Sequence, residues 1–212
     1  MSDESTSGTA TAGATSTAPA VAEPPASRDR HTAMFPHVAR LAKGYDPNQV
    51  DEFFAKARIA YEGPISDSLR GSDIRGVAFD LIRGGYQPSA VDGALDRLEG
   101  AFVRRERAAF VRRSSQHEWM AAVAERATSL YPRLVRPRGE RFAPPTHGRG
   151  YAAEEVDALL DRLVAYFDTG APITSAELRA AQFRSARGEK AYAEGAVDAF
   201  LDRAVEVLLA VE

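Results

Sequence analysis

A short motif that recurs four times constrains the fold of this 212-residue chain more than any other feature. Each copy has a tyrosine, a Val-Asp pair five and six positions later, and an apolar residue at position nine. The motif occurs at Tyr45, Val50 and Asp51, at Tyr86, Val91 and Asp92, at Tyr151, Val156 and Asp157, and at Tyr192, Val197 and Asp198. Because a fixed spacing that recurs along a chain is typical of repeat architectures, we interpret the chain as four copies of one unit.

The four copies fall into two pairs. The tyrosines of copies 1 and 2 lie 41 positions apart, and so do those of copies 3 and 4. Copies 2 and 4 also share a lead-in of an acidic residue, an aliphatic residue and an arginine, which ends at Phe79 and at Phe183. Copies 1 and 3 instead begin with a phenylalanine close to a proline, Phe35 and Phe142. We therefore expect the unit of duplication to be a pair: copies 1 and 2 are the first pair, and copies 3 and 4 the second.

Each copy predicts a helix that contains its Val-Asp pair. From the valine onward, apolar residues recur at spacings of four, three and four, as in Val156, Leu160, Leu163 and Phe167. This is a heptad seam of about two turns. A helix of this length is marginal alone because nucleation is costly, so another helix must cover it. The sequence predicts an all-α fold of four short loop-plus-helix repeats, arranged as two tandem pairs that pack through these seams.

Capping and breaking residues set the predicted helix bounds. Asp46 is a typical N-cap, Pro47 suits the first helical position, and Gln49 is placed to complete a capping box. Gly63 and Gly170, each near a proline, are stop signals. The predicted helices cover about 47–62, 88–113, 118–130, 153–167 and 194–211.

These signals divide the chain into six segments. Residues 1–31 contain no aromatic residue and are rich in Ser, Thr, Ala, Gly and Pro, a composition that predicts a disordered tail. The predicted copies cover 32–64, 65–113, 138–170 and 171–212, with a helical Arg-rich connector at 114–137 between the two pairs.

Composition excludes several classes of protein. The chain has no cysteine, so a disulfide framework and a zinc–thiolate site are excluded. Its net charge of -3 argues against a protein that coats nucleic acid by charge alone. No stretch approaches the roughly 18 apolar residues of a membrane span, and the start does not resemble a signal peptide. We expect a cytoplasmic protein that needs neither a cofactor nor a metal.

The residues at fixed spacing in the motif are expected to have structural roles. We interpret each tyrosine as a core residue that folds over the start of its helix, with the hydroxyl at the edge. The glycine before it is expected to allow a turn. The aspartate six positions after the tyrosine is expected in the first helical turn, where its charge favours the helix dipole.

Aspartates also recur four positions apart, which is a spacing that places two carboxylates on one helix face. The pairs are Asp92/Asp96, Asp157/Asp161 and Asp198/Asp202. Paired carboxylates can hold a metal or carry out acid–base chemistry, but no histidine shares their register. We therefore interpret the pairs as a solvated face.

The motif resembles the short N-terminal DivIVA domain. The residues that carry the resemblance are Phe35, the run Lys43-Gly44-Tyr45-Asp46-Pro47-Asn48-Gln49-Val50-Asp51, and its counterparts Arg83-Gly84-Gly85-Tyr86 and Val91-Asp92. From about Met34 to its end, the chain is similar to the actinobacterial DivIVA-domain repeat proteins. The resemblance implies a non-catalytic scaffold at division septa or cell poles, acting with division or wall-growth machinery. It also implies a parallel two-helix coiled coil capped by intertwined loops, which two copies of one chain would form here by intramolecular pairing.

The resemblance further implies contact with a membrane surface. In the family, the loop tip before the Gly-Tyr carries an exposed phenylalanine and a basic residue. The phenylalanine is missing in this chain, where the positions three before the tyrosines hold Ala42, Arg83, Gly148 and Glu189. Basic residues remain, so the resemblance implies weak contacts with an anionic surface rather than insertion. The candidate contacts are Lys43, Arg83, Arg149 and Lys190.

Two other functions stay open. A nucleic-acid-binding or regulatory adaptor would use the Arg-rich stretch that holds Arg104, Arg105, Arg107, Arg112 and Arg113, together with 133–141, but no recognised DNA-binding motif is present. An enzyme would need a nucleophile, a base and a third group in register. Ser115 lies near His117 without such a third group, and the other histidines, His31, His37 and His147, are scattered. We expect no catalytic residue.

Overall fold

The computed structural model describes residues 33–64 and 69–212, and the predicted tail at 1–31 lies outside the described residues. Eight α-helices lie in the described residues. They are α1 (Pro47–Glu62), α2 (Gly71–Arg75), α3 (Pro88–Arg113), α4 (Gln116–Thr128), α5 (Tyr131–Leu134), α6 (Ala153–Thr169), α7 (Ser175–Arg179) and α8 (Glu194–Val211). The chain is mostly helical, as the sequence predicts.

Short strands are the part of the fold that the all-α prediction missed. Strand β1 (Lys43–Tyr45) pairs antiparallel with β2 (Leu81–Arg83). Strand β3 (Gly150–Ala152) pairs antiparallel with both β4 (Ser185–Ala186) and β5 (Ala191–Tyr192). Each strand has three residues or fewer, too few to show the alternation by which a strand is recognised in a sequence. The predicted loops of the copies are therefore joined by strand pairing around the motif tyrosines.

The first long helix begins where predicted but is capped differently. Pro47 is the first residue of α1, and Asp46 accepts a hydrogen bond from the backbone N–H of Asn48 at 2.9 Å. The predicted capping box is wrong, because the Gln49 side chain turns to Asp80. Its amide donates to the Asp80 carboxylate and its carbonyl accepts from the Asp80 N–H, each at 2.8 Å. The start of α1 is thus tied to copy 2 rather than to its own backbone.

The other long helices confirm the predicted bounds to within two residues. Helix α3 ends at Arg113, and Ser115 caps α4 by accepting from the Glu118 N–H at 3.1 Å. Pro132 lies beyond the end of α4, inside the short α5. Helix α6 ends at Thr169 and is capped by Gly170, whose φ of 73° lies in the left-handed region that favours glycine.

Two apolar cores form behind the motif, within the compact unit that spans Phe35–Glu212. The four motif valines lie at their centres and are completely buried, each with 0% exposure. The smaller core surrounds Val50, Tyr86 and Val91, whereas the larger core joins α4, α6 and α8. Helix α8 contacts α3, α4 and α7, so its apolar seam is covered by more than one helix.

Candidate functional site

Tyrosine–aspartate contacts cross from one copy to another. The Tyr86 hydroxyl donates to Asp51 at 3.1 Å, and the Tyr192 hydroxyl lies 3.0 Å from both carboxylate oxygens of Asp157. In both contacts the tyrosine belongs to the second copy of a pair and the aspartate to the first. Because the same two motif positions meet in both pairs, the motif residues form a contact between copies.

The reverse contacts are also made. Tyr45 faces Asp92, and Tyr151 faces Asp198. Burial raises the pKa of both phenols, and the charge and hydrogen bond of the facing carboxylate raise it further. Each pair therefore contains two crosswise Tyr–Asp contacts, which we call the clasps.

Backbone bonds and phenylalanines surround each clasp. Tyr45 and Tyr86 exchange two backbone hydrogen bonds, at 2.8 and 2.9 Å. The ring of Phe35 lies 5.5 Å from the ring of Tyr86, and that of Phe79 lies 5.5 Å from Tyr45. The second pair repeats these ring contacts with Phe142 on Tyr192 at 5.2 Å and Phe183 on Tyr151 at 5.2 Å. The phenylalanine that opens each copy thus packs on the tyrosine of the other copy.

The structure corrects three predictions about single residues. Tyr86 and Tyr192 are core residues with 2% and 1% exposure, as expected, but their hydroxyls reach the helix of the other copy. The motif aspartates lie beyond the first helical turn, since the first turns of α1 and α3 hold no acidic residue. Asp157 is also not part of a solvated face, because it is only 2% exposed. A carboxylate is buried at this depth only where hydrogen bonds compensate for its lost hydration.

A buried arginine provides that compensation in the second pair. Arg141 donates to the Asp157 backbone oxygen at 2.9 Å and to the Asp161 carboxylate at 2.5 Å. The Asp157 carboxylate also accepts from the Gly139 N–H at 2.7 Å. Burial acts to raise the pKa of Asp161, but hydrogen bonds from Arg141 and Arg138 outweigh it and hold the pKa below its ordinary value. This network leaves both oxygens of Asp157 bonded.

The corresponding aspartate of the first pair is less well bonded. One oxygen of Asp51 accepts from Tyr86, whereas the other, Oδ1, is buried without a hydrogen-bond partner. An unsatisfied buried carboxylate oxygen carries a desolvation cost of about 1–3 kcal/mol. Asp51 and Asp157 therefore make the same tyrosine contact but differ in how fully their carboxylates are bonded.

An exposed patch lies at the edge of the first clasp. Lys43 and Arg83 are directly opposite each other in the β1–β2 pairing, and both are exposed. Three exposed aliphatic residues lie in or next to these strands: Leu41 is 83% exposed, Leu81 52% and Ile82 40%. We call these five residues the tip patch. Exposed apolar side chains beside basic ones are typical of surfaces that meet anionic lipid.

The second pair has a different surface at the corresponding place. Ser185 and Ala186 occupy the strand positions opposite Tyr151 and Gly150, where the first pair has Leu81 and Ile82. The Arg149 guanidinium donates to the Ser185 hydroxyl at 2.7 Å and to its carbonyl at 3.1 Å. Lys190 is exposed in a short 3₁₀ turn. Of the four predicted basic contacts, the structure brings together only Lys43 and Arg83.

Several arginines of the nucleic-acid hypothesis are occupied by internal contacts. Arg105 donates to the carbonyls of Ala60 and Gly63 at the end of α1. Arg133 donates to the Arg141 carbonyl at 2.8 Å, and Arg138 bonds Asp161. Only part of the predicted basic stretch therefore faces solvent. Its exposed arginines include Arg104, Arg112 and Arg113.

A cleft of about 710 Å³ opens between α3 and α8, and its wall holds a buried carboxylate. Glu99 is 1% exposed. Its carboxylate accepts hydrogen bonds from Arg75 Nε, at 2.9 Å, and from Arg179. Arg75 reaches on to the Asp202 carbonyl at 2.6 Å, and Arg179 lies 3.2 Å from Asp96. Because Arg75 belongs to copy 2 and Arg179 to copy 4, Glu99 joins the two pairs.

Titratable side chains elsewhere do not gather into a metal centre. Among residues 33–64 and 69–212, no group of three His, Asp or Glu side chains is placed to hold a metal ion. The His37 Nδ1–H donates to the Gly84 carbonyl at 2.7 Å, and the ring packs near Tyr86, whereas His31 lies outside the described residues. In the same residues, none of the helices combines the length and apolar character needed to cross a bilayer.

Comparisons of the chain with protein-family models, curated proteins and solved structures found no match. Sequence reasoning identified the motif residues of the clasps and the two basic residues of the tip patch. It missed the exposed Leu41, Leu81 and Ile82, and only the pairing of β1 with β2 brings Leu81 to the same strand face as Lys43.

Proposed function

We propose that this chain is a non-catalytic DivIVA-domain scaffold, made of four copies arranged as two intramolecular pairs, that takes part in cell division, polarity or wall growth. The crosswise clasps carry the proposal. In each pair, the tyrosine of the second copy bonds the aspartate of the first, and the tyrosine of the first copy faces the aspartate of the second. Such a contact needs two copies and makes no use of a substrate.

Two surface grooves support the same arrangement of copies. One groove of about 420 Å³ runs beside α1, and another of about 620 Å³ runs beside α6. Their lining residues correspond position by position along the two pairs. The correspondences are Gln49 with Glu155, Glu52 with Ala158, Phe53 with Leu159, Lys56 with Arg162, Val77 with Ala181, Ala78 with Gln182, Phe79 with Phe183 and Asp80 with Arg184.

The tip patch is the part of this scaffold that we propose meets an anionic membrane surface. Lys43 and Arg83 would face lipid phosphates, each worth about 1 kcal/mol near such a surface. Leu41, Leu81 and Ile82 would lie at the headgroup boundary, where burial of their exposed apolar area is favourable. The contact would be peripheral and one-sided, because Ser185 and Ala186 replace the aliphatic residues in the second pair.

Sedimentation with lipid vesicles tests this contact. We expect the chain to sediment with vesicles that contain phosphatidylglycerol and not with vesicles of phosphatidylcholine alone, and the binding to weaken with added salt. Replacing Lys43 and Arg83 with Ser should reduce the binding constant by about ten- to thirty-fold. Replacing Leu81 and Ile82 with Ser should reduce it as well.

The second pair supplies the matched control for the vesicle measurement. Arg149→Ser with Lys190→Ser removes the same charge and should leave vesicle binding nearly unchanged. An equal loss in both double variants would mean that net charge, not the tip patch, drives binding. A fluorescently tagged chain tests the location: we expect signal at septa or poles, and a diffuse signal in dividing cells would contradict the scaffold.

A further inference from the structure

Copy 1 is attached through copy 2. Within the described residues, every hydrogen bond and ring contact from the stretch 35–64 to the rest of the chain goes to the stretch 79–105. Even the far end of α1 follows this rule, since Tyr61 stacks on Phe102 at 5.4 Å and Arg105 binds the last carbonyls. Copy 1 therefore carries a complete set of contacts for one partner surface, that of copy 2.

The copies of the second pair are tied to more of the chain. The Phe167 ring of copy 3 contacts Tyr131 of the connector at 5.8 Å. In copy 4, the Ala210 carbonyl accepts from the Trp119 indole at 2.9 Å, and Arg179 bonds Glu99 of copy 2. Separating copies 3 and 4 would break these additional contacts, whereas separating copies 1 and 2 breaks only their own interface.

The first interface is also the less well satisfied of the two. Asp51 has a buried oxygen without a partner, whereas the equivalent Asp157 is bonded by Tyr192, Gly139 and Arg141. The core between copies 1 and 2 is separate from the larger core. Opening the first pair therefore breaks a core separate from the larger one and relieves one buried polar cost.

We propose that copy 1 exchanges between two molecules, so that copy 1 of one chain pairs with copy 2 of another to form a domain-swapped dimer. The partner is a second copy of this chain, because it presents the same β2, clasp and α3 surface with the same charges. Exchange costs little at equilibrium, since the bonds and packing that open within one chain form again between two chains. The exchange rests on the pairing of copies proposed above.

Single cysteines at Lys43 and Arg83 report the exchange directly. These two exposed residues lie opposite each other in the β1–β2 pairing, and the natural chain has no cysteine to interfere. Lys43→Cys chains and Arg83→Cys chains are incubated together at high concentration and then oxidised. The expected product is a disulfide-linked heterodimer, whose yield rises with concentration and exceeds that of either variant oxidised alone.

The second pair again provides a matched control. Ala152 and Ala191 are opposite each other in the β3–β5 pairing, and a mixture of Ala152→Cys and Ala191→Cys chains should give no excess heterodimer. A heterodimer yield equal to that of the first mixture would overturn the argument that copy 1 is the exchangeable copy.

The double variant Lys43→Cys/Arg83→Cys, oxidised at low concentration, separates this inference from the proposed pairing. It should form a disulfide within one chain. If it does so while the mixed single variants give no heterodimer, copy 1 does not exchange and the inference is overturned alone. If it forms no disulfide within one chain, the intramolecular pairing itself is contradicted.

Discussion

At the scale of single residues, the motif aspartate shows how one position can be held in two ways. Asp51 and Asp157 follow their tyrosines at the same distance and accept the same hydroxyl from the other copy. Arg141 and Gly139 then bond Asp157 and its helix, whereas the second oxygen of Asp51 has no partner. The difference comes from neighbours far along the chain, so the motif alone does not reveal it.

The clasp tyrosines predict a loss of stability at alkaline pH. Burial raises the pKa of Tyr45, Tyr151 and Tyr192 above the ordinary value of 10.0, and a facing aspartate raises it further. Each folded phenol therefore keeps its proton at a pH where the unfolded phenol loses it. This stabilisation is fully present below pH 10.0 and is lost as pH rises through the folded-state pKa.

Urea unfolding across this pH range measures the effect. We expect the free energy of unfolding to fall as pH rises above 10.0, and the fall to be smaller in Tyr192→Phe, which has one phenol fewer to titrate. An identical pH dependence in the wild type and in Tyr192→Phe would contradict a titrating clasp.

At the scale of secondary-structure elements, the glycines before Tyr45 and Tyr151 are explained by the close approach of two paired strands. A Cβ at Gly44 would lie 2.3 Å from the Tyr86 carbonyl oxygen, and one at Gly150 would lie 2.1 Å from that of Tyr192. The expected turn is therefore not the reason for these glycines, because the left-handed region is occupied at Gly84 and Gly148 instead. The glycines allow two backbones to pair at van der Waals distance.

Replacing Gly150 with Ala tests this explanation. The added methyl group must push β3 away from β5, so we expect a destabilisation of about 1–3 kcal/mol. Gly195 in the first turn of α8 is the matched control, because a Cβ there meets nothing within 4 Å. Gly195→Ala should stabilise the chain by up to about 1 kcal/mol, and equal effects at both sites would contradict the steric argument.

The elements that the sequence predicts well are those with long periodic patterns. Helices α1, α3, α6 and α8 have apolar residues at helical spacing, and several also have proline starts or glycine stops, so local signals agree along many residues. The strands have only two or three residues each, and their pairing joins stretches far apart in the sequence. For the same reason, nothing in the sequence places Leu81 near Lys43.

At the scale of the whole molecule, one buried carboxylate connects the two halves of the sequence. Glu99 on α3 receives Arg75 from α2 and Arg179 from α7, and only 2% of its side chain is exposed. The arginines occupy corresponding lead-in positions of copies 2 and 4, whereas Val205 stands on α8 at the position that corresponds to Glu99. A single acid thus compensates two arginines, so both depend on Glu99 for a buried carboxylate partner.

Glu99→Gln tests that dependence. The amide keeps the shape but leaves two partly buried guanidinium groups without their carboxylate, so we expect a destabilisation of about 3–5 kcal/mol in urea unfolding. Asp96→Asn is the matched control, since Asp96 pairs with the same Arg179 from a half-exposed position and should cost less than about 1 kcal/mol. A cost for Glu99→Gln as small as that of the control would show that apolar packing alone holds the halves together.

The crosswise clasp, on which both the paired arrangement and the scaffold proposal depend, is tested most directly by a double-mutant cycle on unfolding free energy. Tyr86→Phe is combined first with Asp51→Ala, the aspartate that Tyr86 contacts, and then with Asp92→Ala, the aspartate of its own copy. We expect a coupling energy of about 1 kcal/mol between Tyr86 and Asp51 and a value near zero between Tyr86 and Asp92. A larger coupling of Tyr86 with Asp92 than with Asp51 would contradict the clasp between copies.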